Sequence, residues 1–349
     1  MIETLRTYGH QLADKGFDDA QALVAYMGAV QGQDIDMSKW AVGMRMKQPA
    51  LSSVREAIDS GRIIRTHILR PTWHLVSADD IRWMLDLCGK RLRSAYMGSW
   101  GKHWDVDEKK YSQFRDAATG MLAGTDGLTI QELLAVLNEA GHNWGMEQVK
   151  TMLCVGEAEG LVCNGREKGC KHTFALLDER VPATSAITKE EALSLLALKY
   201  FRSHSPASLE DFVWWSGLSG TEAKTAIGSI ERELITDRYK GLKLFVHESC
   251  TRDCRPDDEV HLLPPYDEYL IAYRDRTHVL EPKYTSKAHN NYGIFHPVIS
   301  YKGRIAGNWK KAAKKGGVEI ETTFFTKSAA PGKRKLQAAI DRYTDFLKA

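Results

Sequence analysis

The sequence predicts an α+β chain, mainly α, with three tandem winged-helix units followed by a β-rich C-terminal domain. Three observations predict it. Helix-start boxes recur along the chain, pairs of short helices run into strand–turn–strand patterns, and the pattern changes after Cys254, where Pro264-Pro265 interrupts it.

The middle unit is the plainest. In Thr129-Ile130-Gln131-Glu132 the threonine accepts a helix N–H while the glutamate reaches back, a capping box. Leu133, Leu134 and Leu137 then give a helical apolar face, and Gly141 is a stop. A second helix runs from about Met146 to Ala158. Gly160 to Cys163, a polar turn from Asn164 to Lys171, and Thr173 to Leu177 read as strand, loop and returning strand.

The pattern recurs on both sides. Ser208-Leu209-Glu210-Asp211 opens a helix that Gly217 ends, Thr221 opens another, and a hairpin turns around Tyr239-Lys240-Gly241. A further box, Thr188 to Glu191, starts the helix before them. Near the N-terminus, helices at about Asp19–Ala29, Asp36–Met44 and Leu51–Ser60 lead to a hairpin around Arg70-Pro71-Thr72. Beyond residue 255, strands are expected at His296–Tyr301, Arg304–Trp309 and Val318–Phe325. Tyr301-Lys302-Gly303-Arg304 is a tight turn, and a last helix covers about Pro331–Leu347. The segments are 1–100, 101–185, 186–254 and 255–349.

Composition bounds the function. The chain has 349 residues, 43% hydrophobic and 27% charged, with material for more than one core. Its longest apolar stretches, such as Leu193–Leu198, are far too short to cross a bilayer, and no secretory leader is evident, so a cytoplasmic location away from membranes is expected. The net charge is only +3, but its distribution is uneven. Between Arg45 and Arg93 ten basic residues stand against five acidic ones, and Lys302 to Lys315 carries six bases and no acid. Two such zones could line one phosphate-binding surface. His247, Cys250, Cys254 and His261 are ligand types for zinc, but they lack paired Cys-x2-Cys knuckles, and no metal site is assigned.

Winged helices serve DNA binding, with or without catalysis, and also protein contacts. The most unusual local feature is Gln31-Gly32-Gln33-Asp34. Glutamines one residue apart in an extended segment point the same way, and each amide offers an acceptor and donors. Asp34 reads as a cap for the following helix. His74 reads as a hydrogen-bonded structural residue, Asp267-Glu268 as a turn or helix cap, and Trp214-Trp215 as core.

Ala29-Val30-Gln31-Gly32-Gln33-Asp34 matches the Gln-x-Gln catalytic motif of the AlkZ-like winged-helix DNA glycosylases. The chain resembles that family again at Arg65-Thr66 with Arg70–Val76, at His204–Ala207 with Asp211–Leu218, at Leu262–Tyr269 and at Gly303–Lys310. Gly32 and Pro71 depart from its usual residues, and Gln33 stands where a sister branch has aspartate, so a carboxylate base is absent there.

The resemblance implies hydrolysis of the N-glycosidic bond of alkylated purines, of the N7-alkylguanine type and including crosslinked ones, in double-stranded DNA. Gln31 and Gln33 would hold the water and face the developing sugar cation. Arg45, Arg62, Arg65, Arg70, Lys302, Lys310 and Lys311 are the candidate phosphate contacts. No cofactor is expected, and a monomer suffices. A non-enzymatic winged-helix regulator is the competing reading.

Overall fold

A computed structural model describes residues 1–349 other than 240, 251–253 and 315–316. Lys240 of the expected turn and Lys315 of the basic run therefore lie outside the described residues. The fold is α+β, with short antiparallel sheets among the helices. Among the described residues, no helix is long and apolar enough to cross a membrane. The chain divides into two compact units. One joins Met1–Arg55 to Leu193–Ala349, and the other is Glu56–Ala192.

In the Glu56–Ala192 unit, strands Ile63–His67 and Trp73–Ser77 pair antiparallel, with Ile63 opposite Ser77 and His67 opposite Trp73. Helix Ile81–Ala95 follows, then a π-helical turn Tyr96–Gly101 and helix Glu108–Leu122, which Asp107 caps. Helix Ile130–Glu139 starts at the expected box, with both Thr129–Glu132 bonds formed. Helix Met146–Ala158 and strands Val162–Asn164 and Thr173–Leu176 complete the repeat. Leu133, Leu137, Val149, Met152 and Phe114 form the core beneath them. Gly89 allows helix Ile81–Ala95 to approach Ala158. A Cβ there would lie 2.3 Å from the Ala158 carbonyl oxygen.

In the other unit, Ser208 and Asp211 form a capping box for helix Leu209–Ser216, which ends on left-handed Gly217. Helix Gly220–Ser229 and the hairpin Leu234–Tyr239/Leu242–His247 follow. Its cap is Ser219, earlier than the expected Thr221, because Ser219 can box with Glu222. A four-stranded antiparallel sheet orders Gly317–Phe324, Arg304–Lys314, Val298–Tyr301 and Val260–Leu263. The expected Tyr301–Arg304 turn joins the middle strands, with positive φ at Lys302 (52°) and Gly303 (70°). Strand Val260–Leu263 was not expected.

That sheet shares a core with the first 55 residues. The Trp40 indole donates to the Leu262 carbonyl (2.7 Å) and the Trp309 indole to that of Leu263 (2.8 Å). The terminal helix Lys333–Lys348 sets Tyr343 against both tryptophans and Phe346 against Trp40. Residues 255–349 thus pack together with the N-terminal helices of the same unit rather than by themselves.

Candidate active site

The segment Gln31–Asp34 lies between two helices of the Met1–Arg55/Leu193–Ala349 unit. Helix Ala20–Met27 ends at Gly28, whose φ of +79° favours glycine. A Cβ on Gly28 would meet Lys199 and Trp215, each at 3.3 Å. The chain then extends through Val30–Gln31, bends, and enters helix Ile35–Gly43. Asp34 caps that helix by accepting the Met37 N–H (3.0 Å), as its sequence position suggests. Asp36, where the sequence reading starts this helix, instead lies in its first turn and pairs with Lys39.

The two glutamines differ in setting. Gln31 is buried, with 4% exposure, whereas Gln33 is exposed. The expectation that both face one way assumed an extended chain through residue 33. The strand ends at Gln31, and Gln33 sits in the bend that leads to the cap.

Behind Gln31 is a group the sequence reading missed. The Gln31 backbone N–H donates to Glu268 Oε1 at 2.7 Å. The other oxygen, Oε2, accepts the Trp215 indole N–H at 3.1 Å, and His204 Nε2 stands 3.5 Å from it. Glu268, Trp215 and His204 are all essentially solvent-free. The His10 ring bonds the Tyr273 hydroxyl (2.8 Å), which donates to the His204 carbonyl (2.8 Å). Burial holds both His10 and His204 below the usual histidine range. His204 itself and nearby Arg45 add to the effect at His10, and Glu268 partly offsets it at His204.

Asp267 and Glu268 head the short helix Glu268–Ile271. Asp267 is its cap, as expected, through the Tyr269 N–H (2.9 Å). Glu268 is not a cap, because its side chain turns to Gln31. Trp215 is core as expected. Trp214 is not: it is 42% exposed, with its indole N–H on the Ile271 carbonyl (2.8 Å).

The cationic candidates divide. Arg45 is 1% exposed and grips Asp267 with two bonds, at 2.9 and 2.7 Å. It also donates to the His10 and Ala41 carbonyls, so four of its five N–H groups are spent inside a buried cluster that a phosphate does not reach, and the phosphate assignment for Arg45 is withdrawn. Arg65 is 6% exposed. Its guanidinium lies 3.9 Å from the centre of the Trp73 ring and meets His172 Nδ1 (3.3 Å), so it too is an interior group. Arg62 pairs with Glu56 (2.5 Å) and is half-exposed, and Arg70 is half-buried in its hairpin turn. Lys302 and Lys311 are exposed. Lys310 is exposed and paired with Glu321 (2.8 Å).

His74 is buried and bonds the Thr72 carbonyl (2.9 Å), in keeping with a structural role. The zinc-type residues near Cys250 are engaged elsewhere. His247 bonds Ser249 (2.8 Å), the Cys250 thiol bonds the Arg202 carbonyl (3.4 Å), and His261 bonds Asp257 (2.6 Å). Among the described residues one trio could offer a metal its ligand atoms, buried His67, Cys154 and Glu157. There His67 Nδ1 already bonds Glu157 (2.6 Å). Burial, with Glu157 adjacent, pushes the Cys154 thiol up and keeps it protonated. The trio reads as a His–carboxylate bond beside a buried thiol.

Known proteins share this architecture. The solved Streptomyces sahachiroi DNA glycosylase AlkZ matches with a TM-score of 0.83 at 22% identity, covering all of this chain and 96% of that one. At that identity the likeness establishes the fold. An interstrand DNA cross-link repair glycosylase of Streptomyces sahachiroi is 25% identical over 305 residues, 83% of this chain and 82% of the relative. The class is therefore that of DNA glycosylases, enzymes that cleave the bond between base and sugar. The AlkZ-like DNA glycosylase family model matches residues 24–346, and the chain belongs to that family.

Proposed function

We propose that this chain hydrolyses the N-glycosidic bond of N7-alkylated purines in double-stranded DNA, including purines joined in interstrand crosslinks. The observation that carries the proposal is the Gln31–Gln33 segment. An exposed amide at Gln33 sits at the end of a short stretch whose backbone is held from inside at Gln31. The cross-link repair activity named for the Streptomyces relative supports the crosslinked substrate.

The chemistry suits amides. An N7-alkylated guanine already carries positive charge and leaves without a strong acid. The enzyme must then stabilise an oxocarbenium-like sugar and place a water. Amide oxygens are partial negative dipoles that do both without a second ionised carboxylate. In this scheme Gln33, which is exposed, orients the water, and Gln31, 4% exposed, supplies its amide dipole to the sugar cation from the layer behind. No cofactor enters this scheme, and one copy of the chain is sufficient.

The three helix–helix–hairpin modules act in this reading as winged helices, each touching the duplex, with a β-rich C-terminal segment beyond them. Lys302, Lys310 and Lys311, with Arg62 and Arg70, meet phosphates. The protein works in the cytoplasm, on double-stranded DNA.

The test is release of base from a duplex oligonucleotide carrying one N7-methylguanine, followed by a nitrogen-mustard crosslink. The wild-type chain releases the base. Gln33→Ala slows release by about 10²–10³-fold, and the double variant with Gln31→Ala abolishes it, with duplex affinity unchanged in both. Undiminished release by the double variant overturns the assignment.

A further inference from the structure

We infer that Glu268 is a positioning residue for base excision: its buried carboxylate fixes the backbone of Gln31, and so sets the bend that presents Gln33. The inference rests on the reading of Gln31–Gln33 as the catalytic segment.

Four observations support it. The Gln31 N–H meets Glu268 Oε1 at 2.7 Å, a short contact of the charge-assisted kind. The carboxylate cannot swing away, because Oε2 is held by the Trp215 indole (3.1 Å) and the side chain is fully buried. Trp215 also closes on Gly28, where an added Cβ would lie 3.3 Å from its ring, so one indole braces both the turn before Gln31 and the carboxylate behind it. Glu268 is itself anchored at the first position of a helix whose cap, Asp267, is locked to Arg45. An extended two-residue strand has little local rigidity, so its geometry must be imposed by partners of this sort.

Both carboxylate oxygens accept N–H groups, which places a negative group one hydrogen bond behind Gln31 in a dry interior. The carboxylate missing at Gln33 thus has a counterpart in the layer beneath, where it holds the Gln31 backbone without contacting the sugar.

The experiment uses the full chain and a duplex with one N7-methylguanine, measuring the single-turnover release rate and the duplex Kd separately. Glu268→Gln keeps one acceptor and is expected to slow release about 10–100-fold, and Glu268→Ala more, with Kd within about twofold of wild type. Hydrogen exchange on the wild-type chain gives an independent reading, in which the Gln31 amide is strongly protected and the Gln33 amide is not. A wild-type release rate in folded Glu268→Gln overturns the inference. So does a parallel fall of rate and affinity, the mark of a merely structural role. Fast exchange at the Gln31 amide overturns it even if neither variant folds. If Gln33→Ala also retains full activity, the catalytic segment itself is misassigned; if Gln33→Ala is inactive while Glu268→Gln is not, only this inference fails.

Discussion

Replacing Arg45 by methionine separates a structural arginine from a DNA-contacting one. The guanidinium makes two bonds to Asp267 and one each to the His10 and Ala41 carbonyls, and both charged side chains are 1% exposed. Methionine fills much of the space but leaves the Asp267 carboxylate buried, with the Tyr269 N–H as its remaining backbone partner. Removing one partner of a buried ion pair costs about 3–5 kcal/mol, because the other charge stays uncompensated. For a unit of about 200 residues each kcal/mol moves Tm by about 2–4 °C, so the first unfolding transition should fall by roughly 6–20 °C. Adding Asp267→Asn removes the orphaned charge while keeping an acceptor for the cap, and should recover at least half of the loss. Calorimetry or urea unfolding followed by tryptophan fluorescence reads the stability. A salt titration of duplex binding, done below the melting range, reads the phosphate count. The reasoning fails if Arg45→Met melts like wild type while its salt slope drops by about one, the signature of a lost phosphate contact.

Acid should weaken the Glu56–Ala192 unit from near pH 6.5 downward. Burial holds His74 and His172 well below the ordinary histidine pKa, so the folded unit stays unprotonated where the unfolded chain takes up protons. Each then removes stability at a rate approaching about 1.4 kcal/mol per pH unit, and His74→Gln should lessen the slope in a pH series of melting curves. Gly89→Ala should cost about 1–3 kcal/mol in urea unfolding, because its Cβ meets backbone at Ala158 and not a yielding side chain. Alanine at Lys302 or Lys311 should lower the salt slope of duplex binding by about 0.9 each. Lys310, tied to Glu321, should contribute less.

Local rules read well in this sequence. Thr129 with Glu132, Ser208 with Asp211, and the glycine-bearing turn at Tyr301–Arg304 each carry their geometry within four residues, and each forms as expected. Long-range pairing does not announce itself. Arg45 looks like surface charge until Asp267, 222 positions away, is seen beside it. Arg65 likewise needs Trp73 and His172 to explain its burial. Trp214 and Trp215 are neighbours, but a helix rotates successive residues by about 100°, so one enters the core and the other emerges. The Gln31–Gln33 motif was recognisable as a motif. The unequal burial of its glutamines was not, because strand length depends on partners the local sequence does not contain. Glu268 was hidden for the same reason, beside an aspartate that behaves as a cap.

The bond between Gln31 and Glu268 spans 237 positions of chain. At ribosomal speeds of about 5–20 residues per second, the glutamine waits roughly 12–50 s for its acceptor to be made. The middle unit, Glu56–Ala192, is wholly synthesised within that interval. The fixed geometry of the Gln31 backbone is thereby deferred to nearly complete chains.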